Sequence, residues 1–201
     1  MIQVAVKSKY FGTTQVLGEI DLTIERGETV AVIGPSGVGK STLLRIVAGI
    51  DTSFDGKVSH PQSLAMVFQE PNLLPWRSAL DNLLIAHPKL GTDRAAQMLD
   101  RVGLAEKADA FPGQLSLGQQ RRLSLARAFA CAPDLLIMDE PFVSLDPDLA
   151  GRMLDLTETL IAEHRPATLF VTHSRPEAER LANRVLTLQG TPAQLGPGRN
   201  E

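Results

Sequence analysis

Apolar positions along this chain repeat in two rhythms, and the switches between them outline its elements. Residues 2–7, IQVAVK, alternate as an edge strand would. The segment 17–28, LGEIDLTIERGE, reads as a strand then a turn closing at Gly27, with Leu22 and Ile24 on one face by the period of two. From 29 to 48 a short apolar run breaks into glycines and resumes with helical spacing. Gly49 is placed to end that helix in a left-handed cap. DTSFDG follows as a turn, and Val58 is expected to begin a short strand. A strand over 64–68 delivers Gln69, and Pro71 and Pro75 stop the sheet there. Residues 78–131 read as mostly helical: SALDNLLIAH, then TDRAAQMLDRVG ended by Gly103, a turn at Phe111-Pro112-Gly113, and LSLGQQRRLSLARAFA. Residues 135–138 form a buried parallel strand, and Asp146 caps a helix that Pro147 opens and that runs to about 162. A further apolar strand over 167–172 delivers His173. Ser174 and Glu177 have the capping-box pattern for a helix to about 182, and RVLTLQG is a final strand. The tail from 191, rich in Gly and Pro, leaves room for no further domain.

The break at the centre of this pattern carries chemistry. GPSGVGKS fits the G-x-x-x-x-G-K-[ST] form at Gly34, Gly39, Lys40 and Ser41, with a strand before it and a helix after it. Glycines let the backbone wrap a phosphate with its N–H groups inward, Lys40 reaches the β and γ oxygens, and Ser41 can ligate magnesium. The helix that follows points its N-terminus at the anion. Asp139 and Glu140 stand directly after a buried apolar strand, a costly place for carboxylates unless something there needs them. In a nucleotide-binding α/β protein that need is magnesium and the attacking water. The strands ending near residues 33, 68, 138 and 172 each put a special residue beyond their carboxyl end, where open α/β sheets bind ligands. Gln69 in such a place serves magnesium or the water, or is a surface residue. Ser116 with Gln119 forms a capping box whatever else the pair does. Tyr10 and Phe11 before Gly12 are a stacking platform for a purine, or filler.

Bulk properties narrow the picture. The chain has 201 residues, 43% of them apolar, enough for one substantial core and a single domain. Twenty Lys and Arg against 23 Asp and Glu give a net charge of -3, so nothing general favours nucleic acid. Arg121, Arg122 and Arg127 make only a modest basic group. The single Cys131 excludes an internal disulfide and, lying in an apolar helical pattern, is expected as a small buried hydrophobe. No stretch resembles a signal peptide or approaches the roughly 20 apolar residues of a membrane span. A cytoplasmic protein is expected. Trp76, the only tryptophan, follows Pro75 in polar surroundings and suggests an anchor or a partner contact.

With these motifs in this order, the chain resembles the ATP-binding subunit of an ABC transporter over about residues 2–190. The resemblance implies an α/β fold: a P-loop NTPase core with a mostly parallel sheet, an N-terminal antiparallel β portion, and a helical subdomain inserted at about 78–131. It implies ATP and Mg2+ as cofactors, with nucleotide contacts from Gly34, Pro35, Ser36, Gly37, Gly39, Lys40, Ser41 and Thr42. Phe11 matches the aromatic that stacks on adenine, with Tyr10 a weaker candidate. Ser41, Gln69 and Asp139 match the magnesium-associated residues, Glu140 the general base and His173 the γ-phosphate contact. Gln69 also matches the link to the membrane partner, and Asp146 belongs to the loop that communicates across the dimer. Ser116, Gly118 and Gln119 match the signature that completes the partner subunit's ATP site; Leu117 stands where the family usually has glycine. Implied partners are transmembrane permease subunits, a second copy arranged head to tail, and a solute-binding protein, with no nucleic acid. The place of action is the cytoplasmic side of the inner membrane. The LLPW segment, 73–76, is most like subunits serving nitrate, sulfonate or taurine importers, and no regulatory domain is expected after the last strand. A soluble ABC-type ATPase of repair, translation or cluster assembly is the alternative, and a P-loop kinase a remoter one.

Overall fold

The computed structural model describes residues 1–59 and 61–197. The chain divides into two compact units, one of residues 1–66, 134–140 and 165 onward, the other of 67–133 and 141–164. The first unit is built on a sheet of β1 (Ile2–Phe11), β2 (Thr14–Leu17), β3 (Ile20–Ile24), β4 (Thr29–Ile33), β5 (Asp55–Val58), β6 (Leu64–Val67), β7 (Leu135–Asp139), β8 (Ala167–Thr172), β9 (Arg184–Gly190) and β10 (Ala193–Pro197). Helix α1 (Lys40–Val47) packs against β7 and β8. The second unit carries α2 (Ala79–Ala86), α3 (Thr92–Arg101), α4 (Leu117–Phe129) and α5 (Pro147–His164), with 3-10 turns at Ala105–Lys107 and Pro112–Gln114. Helix α6 (Arg175–Leu181) returns to the first unit, against β4 and β8.

The strand order is β3-β1-β2-β10-β9-β4-β8-β7-β6, with β5 on β1. Strands β9, β4, β8 and β7 are parallel, while β1 pairs antiparallel with β2, β3 and β5. Both halves of the expected sheet are therefore present. Their burial follows their place. All six residues of β8, and four of five in β4 and in β7, are buried, the continuous apolar character of strands covered on both faces. In β1, Ile2, Val4 and Val6 are buried while Gln3, Ala5 and Lys7 are exposed. Leu22 and Ile24 join them in one core with Leu43, Leu44 and Ile46 of α1 and Leu169 of β8.

Five expectations are corrected. Strand β1 is not an edge: it runs to Phe11 and has neighbours on both sides, because β5, some fifty residues on, pairs with it from Val4 to Ser8. Val58 ends that strand rather than beginning it. Cys131 is exposed, since α4 stops at Phe129 and Ala132, at φ 49° ahead of Pro133, turns the chain out of the helix. The Ser174–Glu177 capping box does not form. Thr172 intercepts both groups, its hydroxyl oxygen accepting from the Ser174 N–H at 3.0 Å while its O–H donates to Glu177 at 2.7 Å. RVLTLQG, β9, is not the final strand: the Gly- and Pro-rich tail forms β10, its hairpin partner, and residues 198–201 lie outside the described residues.

Candidate functional site

Strand β4 ends at Ile33 and the chain turns through 34–39 into α1. Close approach explains the glycines. A Cβ on Gly34 would lie 2.4 Å from the Leu188 carbonyl oxygen, and one on Gly39, at φ 117°, would lie 2.7 Å from Leu17. Gly37 has positive φ and open space around it. No side chain caps the N-terminus of α1 and no acidic residue occupies its first turn, so the leading N–H groups and the dipole are left for an anion. Lys40 is buried, and its ammonium donates to the carbonyls of Gly34 at 2.9 Å and Pro35 at 3.1 Å, curling the loop around itself.

Strands β7 and β8 bring the remaining groups to the same end of the sheet. Their register sets Asp139 beside Val171, so the residues after each strand, Glu140 and His173, are neighbours. Glu140 Oε1 lies 3.5 Å from Lys40 Nζ and its Oε2 3.2 Å from His173 Nδ1. Glu140 adopts a left-handed backbone, φ 46°, while its N–H bonds the Val171 carbonyl at 2.9 Å. That conformation costs a non-glycine residue about 1 kcal/mol, the kind of strain retained where a side chain must be aimed. Asp139 Oδ1 stands 3.5 Å from Ser41 Oγ. Burial pushes the Asp139 carboxyl above its usual range, the Ser41 bond pulls it back, and the neighbouring Glu140 charge raises it again.

The donor set fits a magnesium-bound nucleotide: an ammonium, a helix N-terminus, a hydroxyl, and carboxylates beside it. Among the described residues no group of three or more His, Cys, Asp or Glu is placed to hold a metal alone. Mg2+ suits such a place, because it draws most of its ligands from phosphate oxygens and water and one or two from protein. The residues able to hold it are Ser41 and Asp139.

The raised Asp139 carboxyl has a consequence for stability. A folded pKa above the unfolded one means the native state binds the proton more tightly, so stability is greatest below the ordinary carboxylate range and falls as pH rises through the folded value. Asp139→Asn should therefore stabilise the protein at pH 8 while lowering ATPase activity. The gain should shrink as pH is lowered toward 5. Urea unfolding at both pH values checks this; equal stability of both proteins at pH 8 would count against it.

Other candidates sit elsewhere. Phe11, at the end of β1, and Tyr10 are both exposed, and the Tyr10 hydroxyl bonds Gln15 at 3.1 Å. Beside their hairpin, a cavity of about 470 Å³ is lined by Thr14, Gln15 and Val16, by Pro35 to Val38 of the loop, and by Gln189. In the second unit, Gln69 is exposed two residues beyond β6. Ser116 and Gln119 cap α4 reciprocally, at 3.3 and 2.8 Å. Gly118 packs so closely on Leu149 that a Cβ would lie 2.8 Å from it, and Leu117 is 47% exposed at the helix start. Asp146 Oδ1 accepts the Leu149 N–H at 2.9 Å, opening α5.

Sequence reasoning missed the residues that brace these segments. Asn82, 1% exposed, accepts from the Leu74 N–H and donates to the carbonyls of Leu74, Arg77 and Ser78, fixing the LLPW segment. Arg127 donates to the carbonyls of Pro71 and Asn72, Arg122 to those of Val102 and Gly103, and Arg121 to that of Pro141. The basic group is thus spent on backbone. Nothing in a string of arginines distinguishes that use from a charged surface.

A phosphate loop between a parallel strand and a helix, with two carboxylates at the end of β7 in the same parallel sheet, defines a P-loop NTPase. A family model described as ABC transporter matches residues 17–143, more than half of the chain. An aliphatic sulfonates import ATP-binding protein, SsuB, of Mycobacterium sp. (strain MCS) is 51% identical over 184 residues, covering 89% of this chain and 75% of its own. A second SsuB protein, of Nocardia farcinica (strain IFM 10152), is 47% identical, covering 90% and 74%. The ATP-binding cassette MJ0796, in a dimeric post-hydrolysis state bound to ADP and Pi, superposes with a TM-score of 0.81 at 28% identity, covering 100% of both chains. The chain belongs to the ABC transporter family of ATP-binding proteins, as an ATPase subunit of a transport system. Family and fold imply use of ATP with Mg2+. No helix among the described residues is long and apolar enough to cross a membrane.

Proposed function

We propose that this chain hydrolyses MgATP through Lys40, Ser41, Asp139, Glu140 and His173 and drives import of an organosulfonate-type solute. The observation that carries the reading is the contact of Glu140 with both Lys40 and His173 at the carboxyl ends of adjoining parallel strands. Gly34 to Thr42 cradle the phosphates, and Lys40 neutralises charge that develops on the transferring phosphoryl oxygens. Glu140 orients and deprotonates the attacking water, while His173 holds that carboxylate on one side and the γ-phosphate on the other. Mg2+, when bound through Ser41 and Asp139, supplies Lewis-acid polarisation of the phosphate oxygens. Gln69 links magnesium to the membrane partner, and Phe11 stacks on the base.

The subunit works in this reading as a head-to-tail pair, with Ser116, Gly118 and Gln119 completing the site of the second copy. Residues 78–131 form the helical subdomain, within one ABC-type domain. The pair sits on the cytoplasmic face of the membrane under two permease subunits, which a solute-binding protein supplies. Trp76, 68% exposed on the segment braced by Asn82, suits a permease contact. The sulfonate assignment rests on the relatives' names and on LLPW. The test is reconstitution in vesicles with the co-purifying permease. ATPase activity should rise severalfold with a binding protein loaded with an alkanesulfonate; stimulation by nucleic acid instead would replace transport with the soluble-ATPase reading.

Leu117 bears on closure of the pair. It occupies the first position of α4, where glycine would cost the helix up to about 1 kcal/mol. Its exposed side chain stands where the signature must approach a γ-phosphate. Leu117→Gly should leave monomer affinity for ATP unchanged while strengthening ATP-dependent dimerisation and raising turnover severalfold, measured by sedimentation and phosphate release. Unchanged or weaker dimerisation in a folded variant would mean the leucine is accommodated.

A further inference from the structure

Lys9 is an unusual residue for the end of an exposed hairpin. Its side chain is 3% exposed, and its ammonium donates to Asp51 Oδ1 at 2.7 Å and to the Ser53 carbonyl at 2.8 Å. An ammonium has three N–H donors. Asp51 Oδ2 also lies 2.7 Å from Nζ, so three oxygens surround the ammonium, and Nζ stands 4.7 Å from the centroid of the Phe11 ring as well. Lys9 and Phe11 are two apart on β1, so the strand itself presents them on one side. Even so, Phe11 remains 53% exposed.

The anchor of Lys9 leads back to the phosphate loop. Asp51 follows α1, the helix that the loop opens, and its N–H bonds the Arg45 carbonyl at 3.1 Å in the last turn of that helix. Its Oδ1 also accepts the Ser53 N–H at 3.0 Å, which fixes the carbonyl that Lys9 uses. The Lys9 bond holds the Asp51 carboxyl below its usual range, so the carboxylate stays charged at neutral pH. A rigid path therefore runs from the helix behind the phosphates, through Asp51 and Lys9, to the ring at the tip of β1. The adjoining strand β2, which pairs with Phe11 through Thr14, lines the cavity beside Pro35 to Val38.

We propose that Lys9, held by Asp51 and Ser53, is a positioning residue that clamps one face of Phe11 and so presents the opposite face as a preset stacking platform for the purine of ATP. The proposal rests on the reading of Phe11 as the base-stacking residue. Two physical effects act together. The buried cation fixes the ring's rotamer, which removes an ordering cost from nucleotide binding. It also draws on the electron density of the face it covers, a cation–π attraction strengthened by exclusion of water.

The experiment compares binding of MgATP with that of magnesium tripolyphosphate, which offers the same anion without a base, to the full chain by titration calorimetry. Phe11→Ala should weaken ATP about tenfold and leave tripolyphosphate unchanged. Lys9→Met, combined with Asp51→Asn so that no carboxylate is stranded, should weaken ATP about three- to fivefold and again spare tripolyphosphate. In a Phe11→Ala background the Lys9→Met/Asp51→Asn pair should have no further effect on ATP. A merely structural role of Lys9 would weaken both ligands alike, and that result, or an unchanged ATP affinity, overturns the proposal. If Phe11→Ala fails to separate the two ligands, the stacking reading falls and the clamp with it. A normal Phe11 effect without a Lys9 effect removes the clamp alone.

Discussion

Glu140→Gln is expected to reduce ATP turnover by about 10²- to 10⁴-fold while ATP still binds, the loss typical of removing a general base. The substitution keeps the size and the left-handed backbone requirement of the residue, so the strand end at φ 46° should be undisturbed. It removes the charge that Lys40 and His173 both face, at 3.5 and 3.2 Å. Less negative charge beside the bound γ-phosphate should also favour retention of ATP, so an ATP-bound dimer should accumulate. Single-turnover phosphate release and size-exclusion chromatography with ATP measure the two effects. Near-normal hydrolysis would take Glu140 out of the base role and leave His173 as the next candidate.

Lys40→Ala should act one step earlier, on binding itself, with ATP affinity falling by about 10²-fold or more. A charge-assisted hydrogen bond in a water-poor site contributes about 1.5–3 kcal/mol, and Lys40 can supply more than one such bond to a triphosphate. The same ammonium organises the loop, because its bonds to the Gly34 and Pro35 carbonyls close the turn on itself. The variant should therefore lose some stability as well as affinity. Lys40→Arg separates the two roles. Arginine keeps the charge, but its planar fork cannot reproduce a point donor inside so tight a loop, so binding should remain impaired. Calorimetric titration with ATP, alongside thermal unfolding, distinguishes the contributions. Affinity preserved in a folded Lys40→Ala protein would show that the helix N-terminus suffices to hold the phosphates.

The two substitutions probe residues of different legibility. Lys40 was readable because a phosphate loop is local: its glycines, lysine and serine follow one another, and their spacing alone states the chemistry. Strands β7 and β8 were readable for a similar reason, since a strand buried on both faces is an uninterrupted apolar run wherever its partners come from. The Ser116–Gln119 cap formed as expected because both partners lie within one helical turn. The Ser174–Glu177 cap carried the same signal and failed. Thr172, on the preceding strand, competes for both groups, and the spacing of the pair contains no trace of that competitor.

What depended on distant pairing could not be read along the chain. An edge strand and an internal one share the same alternation, so the place of β1 waited on β5 arriving from some fifty residues away. The arginines of α4 read only as a modest basic group, because their carbonyl partners come from distant segments. Likewise nothing local marks Lys9, whose partner Asp51 comes from beyond the end of α1. Local order along the chain determined the phosphate loop and the Ser116–Gln119 cap, because their interactions close within a few residues, and the buried strands, because their apolar runs are continuous. The tertiary structure alone decided the convergence of Lys40, Glu140 and His173 and the anchoring of Lys9 beside Phe11, because these contacts join segments far apart in the chain.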